Sequence, residues 1–212
     1  MRTTQFVGVL AADNAFRGQS VARAFWLALI PGLAMAAVAF SIVLRPRPDI
    51  AEKIATLRVT FKFAVTLCLA FTAMRLALIL SRPDADPRRT LLALATAPLL
   101  LVVGVTLELL ATPAGTWAAR LLGHYSLYCL ASIPFLSLAP LMTLLAALRR
   151  GASSRPGLSG AAAGLGAGGL GAALYALHCT DDSPLFVAVW YSLAISFVVF
   201  AGALAGTRLL RW

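Results

Sequence analysis

Six apolar runs, each long enough to cross a bilayer, constrain this chain more than any other feature. They fall at roughly 22–44, 58–80, 90–111, 125–148, 158–178 and 185–207. A hydrocarbon core about 30 Å thick takes about 20 residues of helix. The breaks carry proline and charge: Arg45-Pro46-Arg47-Pro48-Asp49, residues 81–89, residues 111–115, residues 149–156 and Asp181-Asp182-Ser183-Pro184. Such clusters end helices and start turns. Of the 212 residues 60% are hydrophobic and only 12% charged, against roughly 25% charged in soluble domains. The expectation is an all-α integral membrane protein, a bundle of six transmembrane helices over 22–212, preceded by a short N-terminal segment over 1–21. The first run is too long for the apolar region of a signal peptide.

An even number of spans puts both termini on one side, and charge chooses the side. With the termini fall Arg2, Arg17, Arg23, Arg82, Arg88, Arg89, Arg149, Arg150, Arg155, Arg208 and Arg211. Opposite them are Arg45, Arg47, Lys53, Arg58, Lys62 and Arg120. The later loops set the orientation: both termini cytoplasmic, with the 181–184 turn and the 112–124 loop outside, in a bacterium the periplasm. The net charge of +10 then belongs to arginines at an anionic leaflet. Membrane lipid is the expected neighbour. No aromatic residues interleave with the cations to stack on bases, so no direct nucleic-acid contact is expected.

In the N-terminal segment Phe6, Val9 and Leu10 fall at i, i+3, i+4, with Asp13 after them. That spacing predicts an amphipathic helix of about three turns. It fits a helix lying on the lipid surface or one that docks a cytoplasmic partner. In the fifth run Gly160, Gly164 and Gly168 recur every four residues and stack on one face. Small residues at that spacing let backbones approach closely in lipid, so this helix belongs deep in the bundle. A smooth glycine face would also let it slide or rotate.

Three cysteines without a C-x-x-C argue against a zinc finger or a disulfide scaffold. Cys68, at mid-span, reads as an apolar filler. Cys129 and Cys179 fall at similar depth near the outer face, each with one of the two histidines, His124 and His178, nearby in sequence. Two chemistries suit them: reversible oxidation to a disulfide, or transient capture of a soft metal, with the histidines and Asp181 or Asp182 as further or supporting ligands. Asp181 to Pro184 also reads as turn and N-cap chemistry for the sixth span. Trp190 and Tyr191 read as an interfacial belt, although more than a turn inside the span. Glu108 and Arg75 lie near span ends, where they can snorkel. No catalytic constellation, bis-histidine haem site or mid-span carboxylate relay is present, so neither an enzyme nor an obligatory cofactor is expected.

The six spans, Leu10-Ala11-Ala12-Asp13, Cys129, and the block Leu177 to Phe186 followed by Trp190-Tyr191 together resemble the negative-regulator-of-sigma-F family of bacterial inner-membrane anti-sigma factors. The resemblance implies that the protein holds an extracytoplasmic-function sigma factor inactive at the membrane. It implies that Cys129 and Cys179 sense oxidative or heavy-metal stress, and that the N-terminal segment, with Phe6, Val9, Leu10 and Asp13, contacts the sigma factor. The rival reading is a small multi-span transporter or metal-efflux component. Internal repeats would favour it, and none is visible. The orientation has a direct test: an alkaline-phosphatase fusion after Asp182 is expected to be active and one after Arg150 inactive. The reverse would put Cys129 and Cys179 in the reducing cytosol.

Overall fold

The computed structural model describes residues 20–83 and 85–211. Helix is the sole regular secondary structure among them. Six helices are long and apolar enough to span a membrane: α1 (Val21–Val43), α2 (Leu57–Leu80), α3 (Arg88–Ala111), α4 (Ser126–Leu148), α5 (Pro156–Ala176) and α6 (Pro184–Leu209). The expected bounds agree with these to within two residues. The protein is therefore an all-helical, multi-pass membrane protein. The expected N-terminal amphipathic helix, with Phe6, Val9, Leu10 and Asp13, lies outside the described residues.

The breaks act as their chemistry predicts. Ser20 caps α1, its hydroxyl accepting from the Arg23 backbone N–H at 3.3 Å. Pro156 and Pro184 open α5 and α6, where the missing proline N–H would have had no helical partner. Within α3 the helix is interrupted between Leu94 and Thr96. Pro98 accounts for the interruption, because it offers no N–H to the Leu94 carbonyl and its ring crowds that oxygen. Arg45, at φ 61°, closes α1 in the left-handed region, its N–H reaching the Phe40 carbonyl at 3.0 Å.

α5 is the axis of the bundle. In its most apolar window 67% of residues are buried, against 6% for α3, which lies at the rim. Gly160, Gly164 and Gly168 face α6, as their spacing predicts. A Cβ on Gly160 would strike the Gly202 carbonyl and come within 2.8 Å of the Gly206 Cα. On Gly164 it would lie 2.6 Å from the Val198 carbonyl, and on Gly168 it would lie 3.0 Å from the Ile195 side chain. The other glycines serve other neighbours: Gly166 and Gly169 face Met74 and Ala70 of α2, and Gly171 faces Ser137 of α4. Backbone therefore packs on backbone around three sides of α5, which substitutes dispersion contact for a hydrophobic force that lipid does not supply.

Replacing Gly160 or Gly164 by valine should overpack the α5–α6 contact and cost about 1–3 kcal/mol. The expected result is a lower thermal unfolding midpoint in detergent. Gly115→Ala should leave the midpoint unchanged, since a Cβ there meets nothing within 4 Å.

Candidate functional site

At the end of the bundle remote from Ser20 and Arg211, α5 delivers the chain into the turn Leu177–Ser183. The Cys179 N–H still bonds the Tyr175 carbonyl at 3.0 Å, so the turn begins as a direct continuation of the helix. Its exposed peptide groups then need partners, and two cations supply them. Lys62 of α2 is fully buried and donates to the carbonyls of Cys179 (3.2 Å) and Asp181 (3.1 Å). Its Nζ also lies 2.6 Å from Asp182 Oδ1. Arg47, in the α1–α2 loop, donates to the Cys179 carbonyl at 3.2 Å and to Asp182 Oδ2 at 2.9 Å, while its backbone N–H bonds the Leu177 carbonyl at 3.0 Å. The rest of the guanidinium forks onto Asp49, at 2.7 and 3.0 Å. That fork raises the Arg47 pKa against the opposing effect of burial, and holds the Asp49 carboxyl below its ordinary range.

Each remaining polar group of the turn closes a different helix end. Asp181 Oδ2 accepts from the backbone N–H groups of His124 and Tyr125, both at 2.9 Å, and so caps α4. The approach needs Gly123 at φ +58°: a Cβ there would lie 2.5 Å from the Phe186 ring and 2.8 Å from Asp181 Oδ2. Ser183 caps α6 by accepting from Leu185 N–H at 3.2 Å, the role its sequence position predicts, and donates to Glu108 at 2.6 Å. Glu108 does not snorkel. It is buried at 6% exposure, accepts from Leu185 N–H at 3.2 Å, and pairs with Arg120 at 3.1 Å and Arg58 at 3.6 Å. A carboxylate cannot stay buried without such donors, so it pins α3 to the turn instead of reaching for water.

Beneath the turn lie the thiols. Cys129 and Cys179 are both 0% exposed and belong to one core cluster with Tyr175, Phe186 and Tyr191. Both are free. The Tyr175 and Tyr191 rings are 5.9 Å apart, and Phe186 stands 6.2 Å edge-on to Tyr191. Burial pushes the Cys179 thiol above its ordinary pKa, with Lys62 the main opposing influence. The enclosed thiol is therefore protonated at neutral pH, and a thiolate there becomes more accessible as pH rises. Cys68 lies apart, its Sγ 3.1 Å from Thr96 Oγ1.

The histidines do not join the thiols. The His124 side chain is 91% exposed and 3.6 Å from Asp181. His178 Nδ1 is 2.9 Å from the Arg45 carbonyl, an acceptor, so that nitrogen carries the proton. Asp181 and Asp182 are held by the backbone and the two cations. Among the described residues no group of three or more His, Cys, Asp or Glu side chains is placed to hold a metal. Nor does Tyr191 belong to an interfacial belt. A π-turn over Val187–Tyr191 rotates the helix so that Tyr191 is 1% exposed and Trp190 Nε1 bonds the Leu121 carbonyl at 2.9 Å. Lys62, Arg47 and Glu108, which in the sequence look like loop charges or a snorkelling carboxylate, are site residues. The available signal was an ionisable residue inside or beside an apolar run, which demands a partner.

These features define a six-span membrane protein with a buried thiol pair under an ion-paired turn. The family described as "Negative regulator of sigma F" matches residues 10–212, and the chain belongs to that family. It is 36% identical over 215 aligned residues, covering 100% of both chains, to a Caulobacter vibrioides protein named anti-sigma-F factor NrsF. It is 29% identical over 213 residues, again covering 100% of both, to an Azospira oryzae protein named probable anti-sigma-F factor NrsF. No solved structure matches it.

The ion pairs predict an order of stability losses. Asp182→Leu leaves Lys62 buried without a counter-charge and should cost about 3–5 kcal/mol. Lys62→Met should cost less, because Arg47 still pairs with Asp182. The double variant should recover part of the loss. Thermal unfolding in detergent, arranged as a double-mutant cycle, reads the coupling.

Proposed function

We propose that this protein is a membrane anti-sigma factor and not an enzyme. It sequesters an extracytoplasmic-function sigma factor at a bacterial inner membrane, with both termini in the cytoplasm and the N-terminal segment as a principal contact. Membership of the family over 10–212 carries this reading, with the full-length likeness to relatives named anti-sigma-F factors in support.

The signal is oxidative or heavy-metal stress, received at Cys129 and Cys179. What supports this is the enclosure of both free thiols in one cluster, at the end of the bundle that the charge pattern assigns to the periplasm. Oxidation would join the two sulfurs, giving two electrons and two protons to the oxidant. A soft metal ion would instead displace both protons and be held between two thiolates. Either event changes the packing under the Leu177–Ser183 turn. α5 ends at that turn and begins at the opposite face, so displacement along its glycine contacts reaches the cytoplasmic end. A difference of about 5 kcal/mol between the two states is enough to move the sigma factor from almost wholly held to almost wholly free.

Detergent-extracted protein incubated with cytoplasmic extract should retain a sigma factor. Cys129→Ser with Cys179→Ser nearly preserves volume and should hold the sigma factor in unstressed cells, yet fail to release it on addition of oxidant or cadmium. Cys68→Ser should respond normally. A sigma-dependent reporter, with membrane levels checked by blot, gives the readout. A normal response from the double variant would remove the sensing role and leave sequestration standing.

A further inference from the structure

At the other end of the bundle, a groove of about 400 Å³ runs between α1 and α2. Its lining includes Trp26, Phe71, Arg75 and Arg82, and the rest is aliphatic. Arg75 stands five residues before the end of α2 and faces out of the bundle, about 7 Å inside the span. Helical side chains lean toward the helix N-terminus, which for α2 means deeper into the bilayer. The Arg75 guanidinium accordingly sits 5.9 Å from the centre of the Phe71 ring, one turn further in. Phe71 stacks against Trp26 of α1, with centroids 6.2 Å and planes 28° apart. Both rings are open to the lipid side, at 52% and 36% exposure.

A guanidinium at that depth is costly without a counter-charge. The cation–π contact offsets about 0.5–2 kcal/mol of the cost but takes up none of the five N–H donors. Among the described residues the ion pairs use Arg47, Arg58, Lys62, Arg88, Arg120 and His124, and neither Arg75 nor Arg82. Arg75 and Arg82 line the same groove, and a guanidinium fork matches the oxygens of a phosphodiester bidentately. The stacked rings beside them offer an apolar surface for an acyl chain. A soluble phosphate would make no use of that apolar surface.

The geometry points to a binding site for an anionic phospholipid in the leaflet on the side of the chain termini, its phosphate held by Arg75 and Arg82 and a chain laid on Trp26 and Phe71. Native mass spectrometry of the full chain, titrated with phosphatidylglycerol or phosphatidylcholine, tests it. The wild-type protein should favour phosphatidylglycerol by roughly 10-fold. Phosphatidylcholine carries the same phosphate but also a choline cation that the arginines repel, so Arg75→Gln should abolish the preference while leaving the unfolding midpoint in phosphatidylcholine unchanged. Arg75→Lys should keep part of it. Arg149→Gln, a cation at the same end outside the groove, should keep all of it, and millimolar inorganic phosphate should not displace the lipid. An intact preference in Arg75→Gln would overturn the proposal. So would an equal loss in Arg149→Gln, which would mean diffuse surface charge, or displacement by inorganic phosphate, which would mean a soluble oxyanion site.

Discussion

The contact between Lys62 and Asp182 organises the far end of this bundle. An ammonium ion with no exposed surface, set in an apolar helix, is stable only with a counter-charge and further acceptors. Asp182 supplies the first and the carbonyls of Cys179 and Asp181 the second. Arg47 doubles the arrangement from another loop. The α5–α6 turn is thereby tied to α2 and to the α1–α2 loop by charge. Through Asp181 and the Ser183–Glu108 pair it is tied to α4 and α3 as well. Five helix ends and one loop meet on seven residues of turn.

That meeting point lies beside the thiols. The peptide carbonyl that both cations grasp is that of Cys179. In the proposed sensing role, a change of bonding at its sulfur falls on the same residue as that carbonyl, whose hydrogen bonds to charged groups are the strong kind. Below the turn, α5 meets α2, α4 and α6 through glycine and alanine, with few long side chains to absorb movement by changing rotamer. Close-packed interfaces shift between discrete arrangements and do not deform gradually. In the proposed mechanism α5 is the stiff element through which a signal at the turn would act.

The thiols are also shielded. Enclosure among Tyr175, Phe186 and Tyr191 keeps Cys179 protonated, and a protonated thiol is a poor nucleophile and a poor ligand. Under the proposed sensing role such a site stays quiet until the turn opens or a reagent strong enough to displace the proton arrives.

Much of the fold was legible without coordinates, because bilayer thickness imposes a length and proline an end. Six runs of sufficient length became six helices, and the four-residue spacing of Gly160, Gly164 and Gly168 became the face against Gly202 and Gly206. Ser183 and Pro184 opened α6 as local capping chemistry requires. The site was legible only in part. The sequence singled out Cys129 and Cys179, but it could not enclose them or separate them from His124 and His178, since the direction of a side chain at a helix end depends on its neighbours in space. Lys62, Arg47 and Glu108 looked like loop charges or residues able to reach water. The partners in the α5–α6 turn that tie them to the site lie 75 or more residues away along the chain. Local chemistry fixes where helices begin, end and present small residues. Which buried charge meets which is settled by packing, because an ion pair depends on distance in space and on exclusion of water, and neither is written in the order of the residues.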